Sequence, residues 1–238
     1  ASGPRGIVQP ITKQALSHSW LGWFPSLGAH GRGPQFDHTA RGTDTLDRSR
    51  EEPMQLKFSP EEEAFREELR SIFAKVPEDV RKRCEEGKLQ YPEDLVTTTR
   101  ILNEHGVATP SWPVEHGGKD WTPIQHHIYR EEMSLAFVPD MLPFNVGMIG
   151  PVIAQFGSDE MKERFLAKTA NLDIWWCQGF SEPEAGSDLA SLKTRAVRDG
   201  DDYVINGQKT WTTLGQFADW IFCLARTNPD VKKQAGIS

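Results

Sequence analysis

Ile174-Trp175-Trp176-Cys177-Gln178-Gly179-Phe180, followed at once by Ser181-Glu182-Pro183-Glu184-Ala185-Gly186-Ser187-Asp188, is the stretch on which the fold turns. Its first seven residues are short, aromatic and bounded by turn formers, which reads as a strand. Upstream of Asp173 the apolar residues keep helical spacing. Ser59-Pro60-Glu61-Glu62 offers an N-cap hydroxyl, a harmless proline and an N3 carboxylate, so a helix begins there. Phe65, Leu69, Ile72 and Phe73 form its buried stripe, with Glu and Arg on the other side. A second helix is expected from Pro92 to His105, stopped by Gly106, and a third from Thr122-Pro123-Ile124-Gln125 to about Phe137. Met141 to Phe156 is apolar all round, as a buried helix would be, though Pro143 and Gly150-Pro151 must bend it. Ser158-Asp159-Glu160 opens another, with Met161, Phe165 and Leu166 inside.

Downstream, Lys193 to Arg198, Tyr203 to Ile205, Gln208 to Thr213 and Asp219 to Arg226 are short strand-like runs, separated by Asp199-Gly200 and Asn206-Gly207 turn signals. The expected fold class is α+β: a helical domain over 54–172, then an antiparallel, barrel-like middle domain over 173–238. That β domain reads as partial, because the chain ends just as another strand begins. Residues 1–53 carry scattered glycines and prolines without sustained period, and read as an extension or leader expected to be poorly ordered. Their apolar cluster is Trp20, Leu21, Trp23, Phe24 and Leu27, and Met54 is a plausible natural start.

The whole has 238 residues, 37% hydrophobic and 26% charged, with 27 Lys and Arg against 34 Asp and Glu and a formal charge of -7. An excess of carboxylates argues against a nucleic-acid binder. Cys84, Cys177 and Cys223 form no C-x-x-C pair and no disulfide framework, which fits a reducing, cytoplasmic compartment. No apolar run approaches the roughly 20 residues of a membrane span, and no secretory signal stands at the N-terminus. Phosphate-loop, dinucleotide, zinc-protease and nucleophile-elbow signatures are all absent. His126 and His127 are adjacent rather than one helical turn apart, a poor metal pair, and Cys177 and Cys223 sit in apolar runs where an inert thiol is expected.

Two readings of the octad from Ser181 to Asp188 stay open on composition. It is a tight connection in which Ser187 and Asp188 cap the next turn, or a small-residue loop whose N–H groups and hydroxyls approach an anionic or flavin-like ligand. Trp211-Thr212-Thr213 poses the same choice, as core residues or as a flat face with hydrogen bonds for a heteroaromatic ring.

The run Gln178-Gly179-Phe180-Ser181-Glu182-Pro183 through Ala185-Gly186-Ser187-Asp188 resembles the acyl-CoA dehydrogenase family. So do Leu192-Lys193-Thr194-Arg195-Ala196, Asn206-Gly207-Gln208-Lys209, Trp211-Thr212-Thr213, Ala218-Asp219-Trp220 and, upstream, Trp112-Pro113-Val114-Glu115-His116-Gly117-Gly118. The resemblance spans Met54 to Ser238. It implies a helical N-terminal domain, a middle β domain and a C-terminal helical domain not represented here, assembled as homo- or hetero-oligomers of related subunits around FAD. It further implies that Gln178, Phe180 and Ser181 line the flavin, that Gly186 and Ser187 lie between cofactor and thioester, and that Ser187 contacts acyl-CoA. Trp211 would pack beside the ring, with Thr212 and Thr213 at its polar edge. The implied activity is α,β-desaturation of an acyl-CoA in lipid breakdown, with electrons passed to an electron-transferring flavoprotein. Glu184 departs from the glycine common at its position. The family's catalytic glutamate has no counterpart, so no catalytic residue is assigned, and Glu182 and Asp188 are read as loop-fixing groups. Alternatives on the same residues are a non-catalytic fragment or structural partner of a complete paralogue, and a flavin oxidase or monooxygenase.

Overall fold

Ser59 starts helix α1 (Pro60–Phe73) as a full capping box, its hydroxyl accepting from the Glu62 amide (3.2 Å) while the Glu62 carboxylate accepts from the Ser59 amide (2.7 Å). These coordinates are a computed structural model that describes residues 57–238. The leader reading of 1–53, its apolar cluster and Met54 lie outside the described residues. After α1 come α2 (Glu78–Glu85), α3 (Glu93–Glu104), α4 (Pro123–Leu135), α5 (Gly150–Phe156) and α6 (Asp159–Ala170). The four strands are β1 (Trp176–Gly179), β2 (Arg195–Asp199), β3 (Asp202–Asn206) and β4 (Trp220–Cys223). A helical layer followed by a small sheet layer is therefore the architecture. No helix among the described residues is long and apolar enough to cross a membrane.

Helix α4 repeats the capping box with Thr122 and Gln125, and Gly106 ends α3 with a φ of +67°. Helix α2 follows Pro77 and buries only Val80, too little apolar signal for the spacing to reveal it. The α1 stripe holds for Leu69, Ile72 and Phe73, while Phe65 is half-buried against Trp121, ring centroids 5.1 Å apart. Arg66 departs from expectation. It is buried, not on the outer face, because Glu131 and Glu132 of α4 accept from its guanidinium and Phe58 stacks on it at 4.5 Å. A charge is tolerated inside when opposite charges pair with it there.

Two apolar clusters result. One gathers Leu69, Phe73, Val80, Leu102, Ile128 and Met133 among α1, α2, α3 and α4. The other gathers Trp112, Leu142, Ile153, Phe165 and Leu166 with Trp175 and Trp176, so it reaches across both layers. The expected bend after Pro143 is a π-helical turn over Phe144–Ile149 that runs into α5. Gly150 allows it, since a Cβ there would fall 2.1 Å from the buried Trp112 ring. Within this turn the buried Asn145 ties the layers together. Its Nδ2 donates to the carbonyls of Thr169 (3.0 Å) and Ile174 (2.7 Å), and its Oδ1 accepts from the Trp176 amide (3.1 Å).

The sheet corrects the barrel expectation. Among the described residues no closed sheet forms: β1 pairs with β4 in parallel, Trp176 opposite Trp220, and β2 pairs with β3 antiparallel, Val197 opposite Val204. The Asp199-Gly200 signal does make a hairpin, with Gly200 at a φ of +63°. Asn206-Gly207 does not, because 208–213 leaves the extended state. Lys209 is drawn to Glu182, the Thr210 amide donates to the Ser181 carbonyl, and Trp211 takes a φ of +57°. Parallel pairing of β1 and β4 follows from the same crossing, since the 40-odd intervening residues carry the chain back to the same end of the pair.

Candidate functional site

Phe180 leaves β1 and packs edge-on against Phe222 of β4, centroids 5.7 Å apart, which anchors the start of the octad on the β1–β4 pair. Glu182 then fixes the loop. Its amide donates to the Ala185 carbonyl (3.0 Å) and its carbonyl accepts from the Ala185 amide (3.1 Å), closing the turn. Its carboxylate is buried and accepts from the amides of Lys193 (2.6 Å) and Thr194 (2.9 Å) and from Lys209 Nζ (2.9 Å). Burial alone would raise this carboxyl, but the hydrogen bonds from Thr194, Lys193 and Lys209 outweigh it and hold it down at about 2. A carboxylate so held is a structural anion and a poor proton acceptor.

Lys209 also donates to the Phe180 carbonyl (2.9 Å), and the Thr210 amide donates to the Ser181 carbonyl (2.9 Å). These bonds bring Trp211-Thr212-Thr213 beside Phe180-Ser181, across about thirty residues of chain. Trp211 is 86% exposed in a left-handed backbone conformation costly for a bulky residue. Gly186 and Ser187 stand on the surface, with no atom within 4 Å of the place a Gly186 Cβ would occupy. The hydroxyls of Ser187, Thr212 and Thr213 bond to no other described residue. Gln178 is set apart: its Nε2 donates to Met148 Sδ (3.6 Å) on the π-helical turn. Glu184, the departure from pattern, is exposed and paired with Lys193, so its charge is already met. Asp188 is exposed and bound to Lys233.

An exposed indole, three hydroxyls that no described residue engages and an open glycine suit a flat ring with a polar edge, so these residues fit a flavin. Thr212 also lines an open hollow with Cys177, Asp219, Trp220 and Ile221. Burial raises the pKa of the Cys177 thiol, which disfavours the reactive thiolate. Among the described residues no cluster of His, Cys, Asp and Glu could hold a metal. No local pattern in the sequence assigns Lys209 to this site. Its only signal was membership of the Asn206-Gly207-Gln208-Lys209 run, because composition cannot reveal a partner at position 182.

A helical layer, small sheets beside it and two loop motifs clasped together define an α+β protein with a candidate ring-binding loop pair. The description "Acyl-CoA dehydrogenase, N-terminal domain" matches residues 59–173 and "Acyl-CoA dehydrogenase, middle domain" matches 177–238, and the chain belongs to the acyl-CoA dehydrogenase family. Acyl-CoA dehydrogenase FadE26 of Mycobacterium tuberculosis is 38% identical over 192 residues, covering 78% of this chain and 48% of that protein. Among solved structures, the ChsE4-ChsE5 complex from Mycobacterium tuberculosis is similar at 40% identity and a TM-score of 0.65, covering 78% of this chain and 47% of that one. The Tcur3481-Tcur3483 steroid ACAD is similar at 34% identity and a TM-score of 0.66, covering 78% and 48%. The chain thus spans about half the length of the relatives it matches.

Proposed function

We propose that the protein carrying this chain is an FAD-dependent acyl-CoA dehydrogenase that introduces an α,β double bond into an acyl-CoA thioester. FAD, when bound, supplies the hydride acceptor for the β-hydrogen, chemistry that no side chain offers. Gln178, Phe180, Ser181, Gly186, Ser187, Trp211, Thr212 and Thr213 hold the cofactor in this reading, and Ser187 also meets the thioester. The observation that carries it is the joining of the two motifs by the Thr210 amide on the Ser181 carbonyl and by Lys209 between Phe180 and Glu182. Trp211 covers a ring face and excludes water from it, while the Thr212 and Thr213 hydroxyls orient the ring's polar edge. The loop carboxylates do not take the α-proton: Glu182 is held ionised by its donors, Glu184 pairs with Lys193, and Asp188 pairs with Lys233. The proton acceptor is therefore assigned to none of these residues.

In this reading 54–172 is the helical N-terminal domain, 173–238 part of the middle domain, and 1–53 an extension. The protein works in the cytoplasm as an oligomer with related subunits, and hands electrons to an electron-transferring flavoprotein. The naming of similar structures as a complex and as a steroid ACAD makes a steroid side-chain thioester the substrate to test beside a straight-chain one. FAD titration of the purified protein, followed by flavin absorbance, is expected to saturate at one per chain, with bleaching on addition of substrate thioester. Trp211→Ala is expected to weaken FAD binding at least tenfold. No bound FAD overturns the proposal. FAD without bleaching overturns the desaturase half of it and favours a structural partner, and rapid reoxidation by oxygen favours an oxidase.

A further inference from the structure

Arg226 follows β4 by three residues, and all of its side-chain hydrogen bonds go to main-chain carbonyls. Nη2 donates to Ala190 (2.6 Å) and Leu192 (3.3 Å), Nε donates to Leu192 (3.3 Å), and Nη1 donates to Lys233 (3.0 Å). None of the ion pairs among the described residues involves it. Its own amide donates to the Thr194 carbonyl (2.7 Å) and its carbonyl accepts from the Ala196 amide (3.1 Å). One residue thus grips the turn that follows the octad, the start of β2 and the segment 227–237. That segment is itself closed, with the Thr227 amide donating to the Gly236 carbonyl (2.9 Å) and the amides and carbonyls of Ala225 and Ser238 exchanging bonds (2.9 and 3.0 Å). Gly236 makes the grip possible, since a Cβ there would lie 2.0 Å from the Asn228 carbonyl oxygen and 3.2 Å from Arg226 Nη1.

The segment reaches back over the octad through Lys233. Its Nζ donates to both carboxylate oxygens of Asp188 (2.7 and 2.9 Å) and to Ser191 Oγ (3.0 Å). Ser187 lies one residue before this clasp and three before the carbonyl that Arg226 holds most closely. A guanidinium fork that spans three carbonyls in fixed geometry holds a loop at a set height, which a lysine ammonium cannot do.

We propose that Arg226 is a positioning residue for the loop carrying Ser187, acting with the Lys233–Asp188 clasp to set where that hydroxyl meets the thioester. This rests on the assignment of Ser187 to substrate. It adds a residue outside both sequence motifs, and it places the determinant of thioester affinity in the segment 226–237. Most of the flavin-holding residues, Phe180, Ser181, Trp211, Thr212 and Thr213, are held by different bonds, through Lys209 and Thr210, so a shift of the loop that carries Gly186 and Ser187 falls mainly on the thioester.

The test is steady-state kinetics of the intact protein with a substrate thioester, alongside FAD content and amide hydrogen exchange over 186–192. Arg226→Lys is expected to raise KM about tenfold while kcat and FAD per chain stay within twofold. Lys233→Met is expected to raise KM by a smaller factor. In a Ser187→Ala background Arg226→Lys is expected to add nothing further to KM, as coupled sites require. An unchanged KM, a parallel fall in kcat and FAD content, or full additivity with Ser187→Ala overturns the proposal. If wild type binds no FAD and turns over no thioester, the functional reading fails by itself. Faster exchange at 186–192 in Arg226→Lys then still supports the clamp, and unchanged exchange overturns it. Lys233→Met carries the same comparison if Arg226→Lys does not fold.

Discussion

Between α1, α3 and α4, Leu69, Phe73, Leu102 and Ile128 are at most 1% exposed, whereas Val197, Val204 and Ile205 of the β2–β3 hairpin keep 59%, 47% and 41% of their surface. The helical layer closes its own apolar core. The sheet layer instead hangs its loops on two charged hubs, Glu182 and Arg226, each satisfying main-chain groups from distant segments. Burying apolar area is non-directional and tolerant, while a charge with directed hydrogen bonds fixes position and fails sharply when one partner goes. A scaffold is built with the first and a site with the second.

The largest expected effect tests the scaffold side. Phe73→Ala empties a fully buried ring site against Tyr129, whose centroid lies 5.7 Å away, and is expected to cost about 3–5 kcal/mol in urea unfolding followed by helical circular dichroism. A loss under about 1 kcal/mol would show that the helical core does not carry the fold. Next comes the hub. Glu182→Gln leaves the buried Lys209 ammonium facing an amide and is expected to cost about 3 kcal/mol, with Glu182→Gln plus Lys209→Met recovering part of it. If the double variant is as weak as the single one, the ion pair is not what holds the loop.

Acid separates the same two regions. Because the folded-state pKa of Glu182 is lowered to about 2 from 4.5, its contribution is fully present above pH 4.5 and is lost as pH falls toward 2. In the helical layer, burial would raise Glu132, but Arg70 and Arg66 hold it below its ordinary value, and the apolar core around it does not titrate. The Glu182 share of the acid loss, read as the difference in urea stability between wild type and Glu182→Gln, is therefore expected to shrink as pH falls from 4.5 toward 2. A difference that stays constant over that range would break the comparison.

The same contrast governs what the sequence could reveal. Helix starts at Ser59, Thr122 and Ser158 were legible because a cap acts on amides two or three residues away. The parallel pairing of β1 with β4 was not, since a four-residue strand carries no register and its partner lies about forty residues on. The run 208–213 looked like a strand by composition, yet Glu182 and Ser181 capture Lys209 and Thr210 and turn Trp211 outward. For the site, Phe180, Ser181, Trp211, Thr212 and Thr213 were nameable from their motifs, and the structure brings them together, while Gln178 sits against Met148. Lys209 and Arg226 act through partners that no local pattern announces.

The smallest expected effect is the most exacting for the comparison. Val204 faces Val197 across the antiparallel pair, and both are about half exposed or more. Val204→Thr keeps the β-branched shape and replaces one methyl by a hydroxyl that water can satisfy, so the cost is expected within about 0.5 kcal/mol of zero. The same urea series measures it. A loss above about 2 kcal/mol would mean that this face is covered in solution and packs as a core. The sheet layer would then owe its stability to apolar contact as the helical layer does, and the division between an apolar scaffold and a site held by charged hubs would fail.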